Sequence, residues 1–353
     1  MSPTCPPKPS NAGIEGEPII GRFTFQHIVH IIGWVCFGIT AIFCLGLCIL
    51  HFRQYRAPNE QRNVFRIIIF PVVASLIAVI STYTYSASGY IGPIAQLYEA
   101  IALASLFLLY VQYVAPEEST RVAFFRELEY KTKNGSVKPL QHYKLFRTSW
   151  TIIFSYVVVY TILIIAQEVT EATGVYCKTS NKPAFAHVWL QAFQLITTIA
   201  AVVTVIRFQR RLKDHMVGRN ALPKLLSFKL FILITTIQHV NLPTSIHPDH
   251  QNRNTDQFGM QFVFSVIGSH ATGSKKLTYD DITIGLQSLL VCIEALACQL
   301  SFYFFFHAKE FAVNKHEGAK DGVVYSPMKA FLHALNPMDL ILGIGRAYGL
   351  VRF

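Results

Sequence analysis

The chain has 353 residues, of which 52% are apolar and only 14% are charged, a balance that excludes an ordinary soluble domain of this size. Its net charge of +11 would suggest a nucleic-acid partner in a soluble protein. Nucleic acid is excluded as a partner because the apolar residues are collected in long runs and the basic residues lie between them. This pattern predicts an all-α membrane protein that crosses the bilayer several times.

Long apolar runs predict the membrane-spanning helices. A bilayer core of about 30 Å requires about 20 apolar residues of α-helix. By this measure the sequence predicts a bundle of seven transmembrane helices within residues 28–312. The predicted spans are 28–50, 64–86, 91–114, 149–167, 186–208, 225–238 continued by 260–268, and 282–306. Residues 1–27 are expected to be a disordered N-terminal segment without a cleavable signal peptide.

Basic residues set the expected orientation of the bundle. Lys and Arg are concentrated after the first span, between the third and fourth, after the fifth, and in the tail, residues 313–353. These four segments lie on one face only if there are seven spans. The positive-inside rule then predicts an external N-terminus and a cytosolic C-terminus. Asn134 begins a glycosylation sequon, but in this topology it faces the cytosol and is expected to stay unmodified.

The cysteines show no metal-binding or CxxC spacing. Five of them lie in predicted spans: Cys36, Cys44, Cys48, Cys292 and Cys298. Cys44 and Cys48 are one helical turn apart, where S-acylation and simple packing both fit, and packing is favoured. Cys5 and Cys177 are the two that could meet outside the membrane, and the sequence leaves open whether they form a disulfide.

The predicted sixth span is interrupted by a polar segment. Its first part, 225–238, would be about 21 Å long and too short to cross the bilayer core alone, and 260–268 would complete it. Residues 239–259 between them are rich in Pro, His, Asn and Asp. This insertion could form a loop at the outer surface, line water inside the bundle, or come from an unspliced intron. The intron interpretation is preferred.

Several short strings resemble the organic solute transporter alpha-subunit family, which has many fungal and plant members. They are "NEQRNVFRIIIFPVVA", "LYEAIALASLFLLYVQYVAPE", "LPKLLSFKLFILITTIQ" and "LTYDDITIGLQSLLVCIEAL". The matching motif positions are Gln61, Arg62, Arg66, Pro71, Tyr98, Glu99, Ala100, Lys224, Lys229, Gln238, Asp281, Ile282, Gly285, Gln287, Leu290, Cys292 and Glu294. The chain is therefore similar to a fungal-type member over roughly 28–312.

The resemblance has limits that bear on function. The chain departs from the family pattern at Leu225, Phe228, Thr236–Ile237 and Ser288, and it lacks the clustered cysteine motif of animal alpha-subunits. The resemblance implies seven spans, transport of steroid- or bile-acid-like amphipaths, and a single-span partner subunit. Homo-oligomer formation is the alternative to such a partner.

Polar residues inside the predicted spans are candidates for a substrate cavity, because ionisable groups in a membrane usually face a bundle interior or water. Lys229 and Glu294 are expected at similar depth, where Lys229 could neutralise Glu294 and accept an anionic group. Glu99 and Gln287 would line the outer part of this cavity, and Gln238 is added from the motif. The alternative is that Lys229 extends to the cytosolic interface and the glutamates hold helices together.

At the start of the second span, Arg62 and Arg66 are predicted to anchor it at the membrane interface. The end of the tail, about 337–353, predicts an amphipathic helix that lies on the cytosolic leaflet, with packing on the bundle as the alternative. His247 and His250 lack further metal ligands, so no metal site is predicted. No catalytic signature or cofactor motif is found.

These features favour a transporter, or transport subunit, for amphipathic organic solutes such as lipophilic anions. The alternative is a non-transporting scaffold or receptor-like protein of the vacuole or another endomembrane. An integral location in the plasma membrane or in the vacuolar and endomembrane system fits both functions. The predicted partners are the lipid bilayer, the solute and a possible second subunit.

Overall fold

The computed structural model describes Cys5 and residues 16–128, 130–131, 137–138, 141–177, 182–239, 276–311 and 326–352. Within these residues the α-helices are α1 (Phe25–Arg53), α2 (Pro58–Tyr83), α3 (Ser88–Val114), α4 (Arg121–Glu127), α5 (Gln141–Ala172), α6 (Ala186–Arg211), α7 (Ala221–His239), α8 (Leu286–Phe305), α9 (Pro327–Leu335) and α10 (Met338–Ala347). The only described strands are β1 (Tyr130–Lys131) and β2 (Val137–Lys138), which pair antiparallel. Short 3-10 turns occur at Tyr85–Ala87, Lys213–Met216 and Ala308–Phe311, and a π-helical turn at Asp281–Gly285.

Six of the described helical segments are long and apolar enough to cross a membrane: Phe25–Arg53, Pro58–Tyr83, Tyr85–Val114, Gln141–Ala172, Ala186–Arg211 and Asp281–Phe311. Large apolar side chains on the outside of α1 and α6, such as Ile42 and Ile196, are mostly exposed, as lipid-facing residues would be. The prediction of an all-helical, multi-pass membrane protein is therefore confirmed.

Helix α2 lies at the centre of the fold and packs against α1, α3 and α8. Helices α5 and α6 form a pair that contacts α3 mainly through α5, and α7 packs on α8. The core between α3 and α5 is aromatic, with Trp150 against Phe107, Phe146 and Phe154. Cys44 is also buried, and its thiol donates to the Ile68 carbonyl oxygen at 3.3 Å, in agreement with the packing interpretation.

Order begins within the segment that was predicted to be disordered. Ile20 and Phe23 form an isolated β-bridge, and the Thr24 side chain caps α1 by accepting a hydrogen bond from the His27 amide. Such a cap satisfies one of the amides at the start of a helix that would otherwise lack a partner. The prediction for residues 1–27 is corrected for residues 16–27.

Helix α7 begins four residues before the predicted start of the sixth span. Asn220, with φ of 48°, precedes Ala221, whose carbonyl oxygen accepts a hydrogen bond from the Tyr110 hydroxyl. The helix has 19 residues and is about 28 Å long, rather than the 21 Å expected. The predicted insertion 239–259, except for His239, and the continuation 260–268 lie outside the described residues.

The tail forms two short helices: α10 lies within the predicted helix of about 337–353 but ends at Ala347, and α9 precedes it. The break falls at Asn336 and Pro337, between α9 and α10. Helix α9 packs on α2, and α10 packs on α5. Gly343 permits this packing, because a Cβ atom at that position would lie 2.2 Å from the Phe154 ring. The bundle-packing alternative for the tail therefore holds, although Ile341 and several neighbours remain exposed.

Candidate functional site

A row of polar side chains lies between α3, α5 and α6, and we name it the polar lane. It consists of Glu99, which is partly buried, and of five buried side chains, Tyr156, Tyr160, Gln167, Gln194 and Thr198. On α5, Tyr156, Tyr160 and Gln167 are four and seven residues apart and therefore share one face of the helix. Gln194 and Thr198 are one turn apart on α6, so the two helices turn these polar faces toward each other.

Hydrogen bonds join the two sides of the polar lane. Gln194 Nε2 donates to Gln167 Oε1 at 3.2 Å, and the hydroxyl oxygens of Tyr156 and Thr198 are 3.4 Å apart. From Tyr156 to Gln167 the helix rises about 16 Å, roughly half of a 30 Å bilayer core. The lane therefore runs from near the middle of the bundle toward the end where α5 finishes.

Glu99 is the only acidic side chain in the polar lane. It lies eleven residues after Ser88, about 16 Å along α3, so it is near the middle of that span. The carboxylate is close enough to Tyr156 and Tyr160 to interact electrostatically with both hydroxyl groups. No described Lys, Arg or His forms an ion pair with Glu99. The lane thus offers a carboxylate, hydroxyls and amides, and no cation.

The other predicted cavity residues lie elsewhere in the bundle. Gln287 and Glu294 are partly buried on α8, which packs against α1, α2 and α7, whereas Glu99 faces α5. Lys229 is partly buried on α7, and within the described chain it forms no ion pair with Glu294. Gln238 is in the last turn of α7, and its side chain is outside the described residues. The predicted pairing of Lys229 with Glu294 is corrected.

The lysine that α7 buries and pairs is Lys224, five residues earlier. Its side chain is fully buried, and Nζ donates to Glu310 Oε2 at 2.5 Å and to the Tyr113 hydroxyl at 2.8 Å. Arg219 extends this network by pairing with Glu310 at 3.6 Å and with Glu60 at 3.4 Å. The network joins the starts of α2 and α7 to the ends of α3 and α8. We name it the inner network.

Arg62 and Arg66 have a protein partner in the tail, and their predicted role as interface anchors stays a prediction. Arg66 is buried and donates to both carboxylate oxygens of Asp339, at 2.8 and 2.9 Å. Arg62 Nε lies 3.3 Å from the same carboxylate. A carboxylate held by two guanidinium groups fixes the tail to α2 in a defined orientation. Asp339 lies in the tail, 273 residues after Arg66 in the sequence. No local sequence pattern could have predicted that it pairs with these arginines.

Different contacts hold the opposite end of the bundle. The Tyr85 hydroxyl donates to Asp281 Oδ1 at 2.8 Å, and Asp281 Oδ2 accepts a hydrogen bond from the Thr278 amide. A disulfide also joins Cys5 to Cys177, so the open question about this pair is answered. Because Asp281 precedes α8 and Glu310 follows it, α7 and α8 begin at opposite ends of the bundle.

Metal chemistry has no candidate centre in the described part of the chain. No group of three or more His, Cys, Asp or Glu side chains is arranged there to hold a metal ion. His247 and His250 are outside the described residues.

The fold and these contacts define a helical, multi-pass integral membrane protein with polar side chains buried between its helices. A family model described as organic solute transporter Ostalpha matches residues 29–311, and the chain belongs to this family. The resemblance to that family is confirmed.

Two curated relatives share part of their length with this chain. One is the vacuole membrane protein hfl11 of Schizosaccharomyces pombe, 24% identical over 225 residues, which are 62% of this chain and 52% of the relative. The other is protein LAZ1 of Arabidopsis thaliana, 23% identical over 222 residues, which are 57% of this chain and 46% of the relative. The chain spans about half the length of these relatives. No solved structure matches it.

Proposed function

We propose that the protein transports amphipathic organic solutes, or is the solute-binding subunit of such a transporter, and that the polar lane contacts the solute. The observation that carries this proposal is a carboxylate near the middle of a span that no described cation pairs with, beside two buried tyrosines. Burying such a group in a membrane protein is costly, and a functional role is the default explanation. The family to which the chain belongs supplies the class of activity.

The composition of the polar lane narrows the class of solute. The carboxylate of the lane accepts hydrogen bonds, and its hydroxyl and amide groups can both accept and donate them. None of these groups carries a positive charge. They suit a neutral, hydroxyl-bearing amphipath such as a hydroxysteroid better than a lipophilic anion, because the lane contains no cation to pair with an anionic group. Since Lys229 does not contribute a cation to the lane, the expected preference for anions loses its physical basis.

Movement of α6 would open the polar lane. Helix α6 packs mainly on α5 and touches α3 and α7 at few positions, whereas α5 also packs on α3 and α10, so α6 is the helix that can shift with the smaller loss of packing. Part of the lane lies on the interface between α5 and α6 that such a shift would separate. Solute would enter between these two helices, with its apolar body toward lipid and its polar group toward Glu99.

The orientation proposed is an external or lumenal N-terminus and a cytosolic C-terminus, with α7 as a seventh span. Helices α1, α2, α3 and α5 separate Cys5 from Cys177, and an even number of crossings puts both on one side. Disulfides persist in oxidising compartments, which supports the outside of the cell or the lumen for that side. After reduction, an impermeant maleimide should label Cys177 from that side, and labelling from the cytosol would contradict the orientation.

A vacuolar or other endomembrane location is proposed from the relative named a vacuole membrane protein, with the plasma membrane as the alternative. A single-span partner subunit or self-association remains part of the proposal. Fluorescence of a tagged protein, compared with a vacuolar membrane marker, tests the location.

A flux assay in reconstituted vesicles tests the transport function. The change is Glu99→Gln, which keeps the shape and hydrogen-bonding capacity of the side chain and removes its charge. Flux of a radiolabelled neutral hydroxysteroid should fall about tenfold, equivalent to loss of about 1.4 kcal/mol in solute recognition. Glu117→Gln is the matched control, because Glu117 is exposed beyond the end of α3.

Two outcomes would count against the proposal. Equal flux for Glu99→Gln and the parent protein would show that the polar lane only holds helices together by hydrogen bonds. A parent protein that carries neither the hydroxysteroid nor its sulfate ester would favour the non-transporting scaffold. Melting temperatures of both variants show whether any loss of flux comes from a loss of folded protein.

A further inference from the structure

A cleft of about 220 Å³ lies between the tail and the end of the bundle where α2 begins and α3 ends. We name it the tail cleft. Its charged lining consists of Arg62, Arg121, Arg346, Glu118 and Asp339. One water molecule needs only about 10–15 Å³ of such volume, so the cleft has room for a group several waters in size.

The ion pairs around the tail cleft leave an excess of positive charge. Arg62 and Arg66 share the single carboxylate of Asp339, and Arg346 pairs with Glu118. In these ion pairs of the described side chains, three guanidinium groups face only two carboxylates, which leaves one positive charge in excess. An uncompensated cation in a partly buried site is costly, so an anion would stabilise this arrangement.

Arg121 adds a further cation that forms no ion pair with a described carboxylate, and the carboxylate that attracts it from nearby, Glu118, already pairs with Arg346. Arg121 is 4% exposed, its Nε donates to the Ala115 carbonyl oxygen at 3.2 Å, and no described carboxylate lies within ion-pair distance. The amide oxygen of Gln112, in its hydrogen-bonded orientation, accepts from Arg121 Nη2 at 3.2 Å. Burial lowers the pKa of Arg121 to about 10, so the group still carries its charge at neutral pH.

The tail cleft lies beside a surface suited to lipid. The tail helices that form one wall carry exposed apolar side chains, which are Met328, Phe331, Leu332, Leu335, Met338 and Ile341. Short helices with one packed face and one exposed apolar face lie at the boundary between lipid headgroups and acyl chains. A headgroup in that leaflet would therefore be at the depth of the cleft.

We propose that the tail cleft binds the phosphoryl group of an anionic lipid from the leaflet in which α9 and α10 lie. Guanidinium groups present paired donors that match phosphate oxygens, and this geometry makes arginine the preferred residue for such recognition. Arg62 and Arg121 come from the bundle and Arg346 from the tail, so a bound phosphoryl group joins the two. Lipid binding thereby stabilises docking of the tail, and the proposal does not depend on transport.

Trp150 provides a direct reporter of this site. It lines the tail cleft, is almost fully buried, and donates from Nε1 to the Gly343 carbonyl oxygen of α10 at 2.9 Å. The other two tryptophans of the chain, Trp34 and Trp189, are about half exposed on the outside of the bundle. Replacing both with phenylalanine leaves Trp150 as the single tryptophan in the full-length protein.

The experiment titrates this single-tryptophan protein in detergent with short-chain phosphatidic acid. Phosphatidylcholine of the same chain length and inorganic phosphate are the two comparison ligands. We expect a saturable change in Trp150 emission and a higher melting temperature with phosphatidic acid, and neither change with phosphatidylcholine. Equal affinity for inorganic phosphate would overturn the lipid assignment, and absence of both changes with phosphatidic acid would overturn the site.

Variants with opposite expected signs sharpen the test. Arg346→Gln should weaken phosphatidic acid binding about tenfold, because it removes a charge-assisted hydrogen bond. Glu118→Gln should tighten binding severalfold, because it removes the carboxylate that competes for Arg346, and Glu118 is exposed enough to change without unfolding the protein. Arg53→Gln, at an exposed arginine near the same end, is the control and should leave the affinity unchanged.

The variants also show whether a change in affinity comes from lost lipid contacts or from displacement of the tail. If Arg346→Gln shifts Trp150 emission before lipid is added, the tail has moved, and Glu118→Gln then becomes the deciding variant. Unchanged or weaker binding in Glu118→Gln would contradict the proposal, as would an equal loss of binding in Arg53→Gln and Arg346→Gln.

Discussion

Substitution of Lys224 by methionine tests the inner network. Its side chain is 0% exposed and its ammonium group lies 2.5 Å from Glu310 and 2.8 Å from the Tyr113 hydroxyl. Methionine retains most of the apolar stem and removes the charge. Glu310, with a side chain only 12% exposed, would lose its closest cation. Removing one partner of a buried ion pair costs about 3–5 kcal/mol.

The loss for Lys224→Met should lie at the lower end of this range of about 3–5 kcal/mol. Arg219 remains 3.6 Å from Glu310 and compensates part of the charge of Glu310. We therefore expect Lys224→Met to lower the free energy of unfolding by about 3 kcal/mol. Titration of the purified protein with SDS, followed by far-UV circular dichroism, measures this difference. The double variant Lys224→Met and Glu310→Met should lose at least about 1 kcal/mol less free energy of unfolding than the sum of the losses in the two single variants.

Lys229→Met is the matched control, since it makes the same substitution five residues later on the same helix. Lys229 is partly exposed and has no described ion-pair partner, so its removal should cost less than about 1 kcal/mol. A loss below 1 kcal/mol for Lys224→Met, or an equal loss for both variants, would refute the assignment of the buried cation to Lys224.

Three further predictions concern the tail and the predicted insertion. Gly343→Ala should displace α10 and shift Trp150 emission to longer wavelength, because the added Cβ would lie 2.2 Å from the Phe154 ring on α5. Gly46→Ala, where the added Cβ meets open space, is the control and should leave the emission unchanged. Burial lowers the pKa of His333 below the ordinary histidine value of 6.5, so the folded protein favours the neutral ring. Docking of α9 should therefore be complete above pH 6.5 and weaken as the pH falls below that value. The same pH response in a His333→Gln variant would contradict this prediction. Sequencing of the mature transcript should show that the codons for residues 239–259 are absent, and their retention would rule out the intron interpretation.

The sequence predicted the spans well because a membrane helix needs a long apolar run, and such a run is a local property. The ends of the helices were predicted less well. Lys229 was chosen as the functional lysine because it lies deeper in the apolar run than Lys224. The structure starts α7 at Ala221, which brings Lys224 under Tyr113 and beside Glu310. Burial at this site depends on residues 111 and 86 positions away, which no local pattern contains.

The tail illustrates the same limit. Its apolar stripe predicted one amphipathic helix, and the packed positions Leu340, Ile344 and Ala347 agree with that stripe. The start of α10 after Pro337 agrees with the predicted boundary, whereas α9 was not predicted. The ion pairs of Asp339 could not be predicted, because they depend on where α2 places its arginines.

Several of the residues that carry the family resemblance connect the ends of helices. Gln61 bonds to backbone groups on both sides of the turn between α1 and α2, and Arg66, Lys224 and Asp281 each join segments distant in sequence. These contacts fix the fold whatever solute is carried, so the motifs alone do not identify a substrate. Glu99 is different, because it lies in mid-span with no described cation beside it. Among the motif residues it is therefore the one whose charge is best placed to act on a solute, and the flux measurement should begin there.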